Sequence, residues 1–365
     1  MRGNSPLGKT RCGPPHPHVN YGTTRAPCHR VGAARFDPSQ WRLPACAENI
    51  FSCSAAIRGR ALVFMGKRHM TNPLVTLDLT NCNERHLPSV TTAATDALED
   101  GKVLLMPHLN FELMPVEAPL LDPKWLAAGA KNISYDPRAD AIGHTSATGA
   151  ELVHLVSLLA RYAKFARKLV THLCPDYAPH LLVGLTSLRP AEVCGRECSI
   201  RQDDTRLHVD AFASRPTGGL RILRVFHNLN PRGEPRIWEL GAPTKAVAQL
   251  YLDQIPRQLP GSAWLLEKLG IVKGRRTEYD HVMLNLHDLA KLDNERQQTC
   301  LRTRVALPAH ATWVVFTDGV EHAVLAGQHL LEQTFFLPVI AMRAEGKAPL
   351  RVLERMRHRA LVEAD

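Results

Sequence analysis

A change of hydrophobic period at Pro175 constrains this chain more than any other feature. Ahead of it Leu152, Leu155, Val156, Leu159, Ala163, Ala166 and Leu169 recur at three- and four-residue spacing, the stripe of an amphipathic helix over 148–173. Thr148 and Glu151 read as a capping box at its start, and Pro175 stops it because proline brings no N–H to the ladder. Beyond Pro175 the pattern breaks into eight short segments of strand character: 180–188, 206–213, 220–229, 236–240, 301–307, 312–317, 321–325 and 331–339. Eight strands of that length, without repeats, point to an α+β chain built on a double-stranded β-helix, or jelly roll. Helical periods at 244–254, 263–268 and 278–294 form an insert within it, and an amphipathic helix over 350–362 closes the chain. N-terminal to the long helix, Ser89 and Gly101 bracket a first helix over 89–100, and an apolar strand follows at 103–106.

The length of 365 residues allows two domains or one large one with additions. No uncharged apolar run approaches the ~18 to 20 residues of a membrane span, which excludes a membrane-spanning helix. The net charge of +10 suggests nucleic acid or anionic lipid until its distribution is read. Residues 1–69 hold eleven Lys and Arg against only Asp37 and Glu48, so nearly all of the excess sits there. A nucleic-acid-binding domain would carry its charge on the folded part, so no nucleic-acid partner is expected. That first segment also holds Cys12, Cys28, Cys46 and Cys53 among many Pro and Gly, with no sustained period. It reads as an extension that is disordered or translated from a wrong start, Met70 being the initiator. The organisation expected is therefore an extension at 1–69, a jelly-roll domain at 70–345 with its insert at about 244–294, and a terminal helix at 346–365. The other cysteines, Cys82, Cys174, Cys194, Cys198 and Cys300, are odd in number and scattered, as in a reducing compartment. Cys194 and Cys198 alone make a weak zinc signal.

Chemistry concentrates in Arg206-Leu-His208-Val-Asp210-Ala-Phe212. Side chains alternate along a strand, so His208 and Asp210 leave the same face one pleat apart and can reach one ion. A second histidine from a distant strand would complete a two-histidine, one-carboxylate face with open positions opposite. His322 suits that role, in Phe316-Thr-Asp-Gly-Val-Glu-His322-Ala-Val-Leu, where a Gly-containing turn precedes an apolar strand. His310 and His329 are its rivals. Glu321 would face away from His322, which speaks against a zinc hydrolase with Glu321 as base.

These motifs resemble the Fe(II)/2-oxoglutarate-dependent dioxygenases, and within them the Kdo hydroxylases, from about Met70 to the C-terminus. The matching parts are Lys131-Asn-Ile-Ser-Tyr-Asp-Pro137, Ser187-Leu-Arg189-Pro, Leu207-His208-Val-Asp210-Ala-Phe212, Arg221-Ile-Leu-Arg224-Val-Phe, Arg236-Ile-Trp238-Glu and Asp318-Gly-Val-Glu-His322. The resemblance implies Fe(II) held by His208, Asp210 and His322, with 2-oxoglutarate and dioxygen as cosubstrates. It implies hydroxylation at carbon 3 of a Kdo sugar in a Kdo-lipid A precursor of lipopolysaccharide, giving Ko and succinate. The distal carboxylate of 2-oxoglutarate needs a guanidinium fork. Many relatives supply it about ten residues after the distal histidine, where this chain has Glu332, so Arg224 is the expected substitute, with Arg221 on the same strand as the other choice. Arg189 and Arg236, each inside an apolar segment, are candidates for the anions of the substrate, and Trp238 for the sugar ring. Asn132 and Tyr135 belong to the same resemblance or to a turn closing the barrel end.

Two other readings keep the fold: an oxygenase of a different substrate, and a cupin-like binding module without catalysis. The implied lipid substrate places the protein in the cytoplasm, visiting the inner membrane peripherally, with Arg351, Arg355, Arg357 and Arg359 of the last helix as the expected contact.

Overall fold

The computed structural model describes residues 72–196, 198–259 and 261–362, so the expectations for residues 1–69 and for Met70 lie outside it. The chain begins with strand β1 (Leu74–Thr76), helix α1 (Pro88–Glu99) and strand β2 (Val103–Met106). The strand pairs β3 (Ile133–Asp136) and β4 (Ala141–Gly143) lead to the long helix α2 (Gly149–Leu173). Strands β5 (Leu182–Arg189), β6 (Arg221–Asn228) and β7 (Arg236–Pro243) precede an insert of four helices, α3 (Thr244–Tyr251), α4 (Ser262–Lys268), α5 (Glu278–Leu292) and α6 (Asn294–Thr299). Strands β8 (Thr303–Leu307), β9 (Thr312–Phe316), β10 (Val320–Ala326) and β11 (Leu330–Leu337) follow, and helix α7 (Pro349–Arg357) ends the described chain.

The strands form two sheets, one ordered β1-β2-β9-β6-β11-β5-β3-β4 and one ordered β10-β7-β8. Every pairing is antiparallel except β1 with β2. Central strands β6 and β9 are buried along their whole length; β9 accordingly reads as a nearly continuous apolar run, while β6 buries Arg221, Arg224, His227 and Asn228 among its apolar residues. Phe226, Trp238, Leu240, Val305, Leu307, Trp313, Val315 and Val324, drawn from both sheets, share one apolar core, as in a double-stranded β-helix. Helices α1 and α2 cover the larger sheet, and Leu155, Leu159 and Ala166 of the expected stripe are buried there.

Several local expectations needed correction. Helix α1 starts at Pro88 with Leu87 as its cap, so Ser89 lies inside it, while Gly101 at φ 77° terminates it as expected. Thr148 does cap α2 but its side chain accepts no hydrogen bond. Gly149 follows at φ 59°, a left-handed start that prevents the capping box from closing. Segment 206–213 is no regular strand. His208 exchanges backbone bonds with His322 (3.1 and 2.9 Å) and Asp210 N–H donates to Thr317 (2.9 Å), but on the other side the Leu207 backbone is bonded by the Gln297 side chain. The neighbour on that side is a helix, so no ladder can form. Strands β1, β3 and β4 and helix α6 were not read from the sequence.

The terminal helix ends at Arg357 and buries Leu350, Val352 and Leu353 in the same compact unit as the sheets. Arg351 meets Glu354 and Arg355 the Gly346 carbonyl at the surface, Arg357 meets the Leu252 and Ile255 carbonyls, and Arg359, beyond the helix end, meets Glu278. The apolar face of the helix is thus taken up by the protein itself, and Arg351 and Arg355 remain on its exposed side. No helix among the described residues is long and apolar enough to cross a membrane.

Candidate metal centre

The mouth of the smaller sheet brings together what the sequence spaced far apart. His208 and Asp210 come from the irregular segment beside β10, and His322 from β10 itself, opposite Leu240 of β7. Their side-chain donor atoms lie within 4.8 Å of one another. Asp210 Oδ1 stands 3.8 Å from His208 Nε2 and 3.9 Å from His322 Nε2. His208 Nδ1 donates to the Arg206 carbonyl (2.7 Å) and His322 Nδ1 to the Val320 carbonyl (3.2 Å). A carbonyl can only accept, so Nδ1 carries the proton on each ring and both Nε2 lone pairs point at the shared space.

Electrostatics keep that donor set in its ligating form. Burial pushes both imidazoles below their ordinary pKa, His208 farther because His322 and Lys291 lie near it, so both rings are neutral at neutral pH. Burial alone would raise the Asp210 carboxyl, but the Arg224 guanidinium holds it well below the usual carboxylate range. Asp210 Oδ2 is buried without a hydrogen bond, the Arg224 Nη2 atom 3.2 Å away being out of alignment. Two neutral imidazole nitrogens and a carboxylate with an open side fit a divalent iron-type ion. His310 and His329, the rival ligands, sit in turns at φ 63° and 59°, and neither joins the cluster.

Around the three ligands is a cavity of about 300 Å³. Its floor holds Arg189, Arg224 and Arg236, as expected, and Trp238 lies on the same wall. Arg221 points the other way, into a buried pair with Asp318 (2.8 Å) over the Phe316 ring, so of the two arginines of β6 Arg224 is the one that lines the cavity. Arg224 Nη1 meets Glu332 at 3.1 Å, and Arg189 Nη2 meets the other oxygen of Glu332 at 2.8 Å. Glu332 thus binds both guanidinium groups and sets their planes. Arg236 differs from them. It is 2% exposed, one of its nitrogens bonds the Gly327 carbonyl at 3.0 Å and its Nε has no partner. Burial and the nearby Arg189 lower its pKa to about 9. Gly327, at φ 128°, admits this approach, since a Cβ there would meet Arg236 Cγ at 2.8 Å.

Trp238 needs a revised role. Its ring stacks on His322 (5.4 Å between centroids) and meets Phe226 and Trp313 edge-on, leaving 2% of the residue exposed. A face already covered by His322 cannot stack on a sugar, so Trp238 orients the ligand histidine. Glu321 faces away as expected, bound to Arg296 at 2.5 Å. Cys194 and Cys198 are free and exposed, outside the metal cluster.

Among the lining residues, Arg201, Gln202, Asp204, His287 and Lys291 escaped the sequence reading, and Lys131 stood there only as the first residue of a matching stretch. His287 packs edge-on against His208, 5.2 Å between centroids. Met283, His287 and Lys291 follow one row of α5 at four-residue spacing beside buried Val282, Leu286 and Ala290, so a lysine at the apolar edge of a helix was the signal available.

A family model described as 3-deoxy-D-manno-oct-2-ulosonic acid (Kdo) hydroxylase matches residues 81–360. The chain belongs to the Kdo hydroxylase family. Its metal ligands and the arginine floor both lie inside the matched span. Solved Kdo hydroxylases agree over the whole of their length. A crystal structure of KdoO, a non-heme Fe(II) alphaketoglutarate-dependent dioxygenase, in complex with cobalt(II), is 45% identical with a TM-score of 0.78, covering 80% of this chain and 98% of that one. KdoO with alphaketoglutarate and Fe(III) is 44% identical, TM-score 0.78, covering 80% and 99%. KdoO with succinate and Fe(III) is 44% identical, TM-score 0.77, covering 80% and 98%. No curated protein matches the sequence.

Proposed function

We propose that this Kdo hydroxylase family member is an Fe(II)/2-oxoglutarate-dependent dioxygenase that places a hydroxyl on carbon 3 of a Kdo sugar carried by a lipid A precursor. The observation that carries the reading is the convergence of His208 Nε2, Asp210 and His322 Nε2 on one buried point beside three arginines, in a family whose solved members hold iron and alphaketoglutarate. Iron bound there would let dioxygen oxidise 2-oxoglutarate to succinate and CO2, with the second oxygen atom entering the sugar C–H bond.

The chain's own residues would do the following. His208, Asp210 and His322 hold the ion and leave its other side to ligands. Arg224, poised by Glu332 beside Asp210, takes the distal carboxylate of 2-oxoglutarate in a charge-assisted pair. Arg236, fixed and unpaired at the floor, is suited to the sugar carboxylate, which would relieve the penalty of burying it alone. Arg189, with Nε and one Nη occupied by Glu332, offers its remaining nitrogen to the same substrate. Trp238 and the aromatic wall behind it exclude water and hold the His322 ring. A lipid-borne substrate places the enzyme at the cytoplasmic face of the inner membrane as a peripheral visitor.

The test is incubation of Kdo-lipid A with the purified protein, Fe(II), 2-oxoglutarate and oxygen, followed by mass spectrometry. One oxygen atom gained per succinate formed supports the proposal. Succinate release equal with and without the sugar would leave an oxygenase of another substrate, and no succinate at all would leave a binding module.

A further inference from the structure

The cavity carries more positive charge than one acidic sugar can match. Lys131, Arg189, Arg224, Arg236 and Lys291 line it, against Asp204, Asp210 and Glu332, while Arg201 at its edge is already paired with Asp288 (2.8 Å). A divalent ion and the dianion 2-oxoglutarate cancel, so a substrate with one carboxylate leaves an excess of one cation in a half-closed space. The excess is localised. At the rim, joined to the floor pairs of Glu332 through Arg189, the single carboxylate of Asp204 faces Arg196 (3.0 Å), Lys131 (3.6 Å), Arg189 (3.9 Å) and Lys291 (4.0 Å). Lys291 is 1% exposed and comes from the helical insert, while Lys131 comes from the loop before β3. Their remaining bonds go to the Arg201 and Gln202 carbonyls, which carry no charge.

From this geometry we infer a second anion subsite at the rim, formed by Lys131 and Lys291 across Asp204, that takes an anionic group on the residue next to the sugar being hydroxylated. The inference rests on the acidic-sugar reading above and deepens it: the preferred substrate presents at least two anions, one to the floor arginines and one to the rim lysines. Carboxylate and phosphate share the required chemistry. Asp204 holds the two ammonium groups in place while cancelling only one of the four neighbouring charges, a balance that suits a group which must also leave. Burial lowers the pKa of both lysines, and a bound anion would reverse that cause. His287, in the row of Lys291 and against His208, ties this rim to the metal ligands through one helix.

The test is equilibrium binding to the cobalt(II)-loaded, 2-oxoglutarate-bound protein, which reads affinity without turnover. Three Kdo glycosides serve as probes, with a neutral neighbour, a carboxylate-bearing neighbour or a phosphate-bearing neighbour. The expected result is roughly tenfold tighter binding of at least one charged probe over the neutral one, with a ratio that shrinks as salt rises. In Lys131→Met, the more exposed of the two, that ratio falls to within about twofold, as it does in Lys291→Met if that variant folds. The charged probe that wins identifies carboxylate or phosphate as the natural group. Equal binding of all three to the wild type, or an unchanged ratio in Lys131→Met, would overturn the subsite alone. Binding of none would overturn the acidic-sugar reading and the subsite with it.

Discussion

At the residue scale the site is a set of charges placed where burial makes their partners matter. Arg236 is the sharpest case, a buried guanidinium with one carbonyl partner and no facing carboxylate of its own. Arg236→Met should therefore raise the stability of the ligand-free protein, by about 1 to 4 kcal/mol, while weakening the sugar's KM by at least ~tenfold. Thermal melts and kinetics on the same sample check this, and a destabilised variant would show that Arg236 is a structural residue. His227 makes a second case, fully buried between Thr312 Oγ1 (2.9 Å) and the Phe111 N–H. Burial lowers its pKa from 6.5 to about 3. Between those values the unfolded chain binds the proton and the folded one does not, so stability is complete above pH 6.5 and falls as pH drops, by up to ~1.4 kcal/mol per unit. His227→Gln should flatten the difference in urea stability between pH 7 and pH 5, and parallel slopes would refute the assignment. The metal ligands were legible in the sequence because two-residue alternation needs only one bridge to set it, and His208 has that bridge with His322. Glu332 was visible only as a missing arginine. Its partners are 108 and 143 positions away or more in sequence terms for Arg224 and Arg189, and no local pattern encodes such a pairing.

At the element scale the helical insert is what converts a plain sandwich into a lined cavity. Asp280 anchors it. One oxygen of this carboxylate accepts from the Thr217 and Gly218 N–H groups (2.7 and 3.1 Å) ahead of β6, and the other from the Thr277 N–H (3.0 Å) and hydroxyl (2.6 Å) at the cap of α5. Asp280→Ala leaves those donors unmet and should cost about 2 to 4 kcal/mol. Because α5 also carries His287 and Lys291, the variant should lose substrate affinity more than metal affinity, which calorimetry with each ligand can separate. Helices α3, α5 and α7 were readable because their apolar stripes run two turns or more, and α4 from a shorter apolar period whose Trp264 and Leu265 stay exposed. Strands β1, β3 and β4 were not, since three or four residues do not establish a period and Ile133–Asp136 sits among turn-forming residues. Helix α7 was readable from its amphipathic pattern, and its apolar face packs on the protein. Truncation after residue 345 should uncover the surface that Leu350, Val352 and Leu353 pack on and lower the melting temperature, and an unchanged melt would contradict a structural role for α7.

At the scale of the whole molecule, two sheets share an apolar core at one level and open above it into a cavity whose walls are charged. The sequence displayed the class of this fold through the switch of period at Pro175, and the resemblance it carried named the chemistry. What it hid was the charge balance of the cavity, because Lys131, Asp204 and Lys291 come from three separate parts of the chain and meet only in the folded protein. The central claim is that His208, Asp210 and His322 hold iron while Arg224 seats 2-oxoglutarate beside it. Anaerobic titration of Fe(II) into the protein with 2-oxoglutarate tests it most directly, through the weak visible charge-transfer band of the chelate. The account predicts a band in the wild type, none in His208→Ala, and one in Arg224→Ala that needs at least ~tenfold more 2-oxoglutarate. A folded, metal-replete wild type without the band, or a band that survives in His208→Ala, would contradict it.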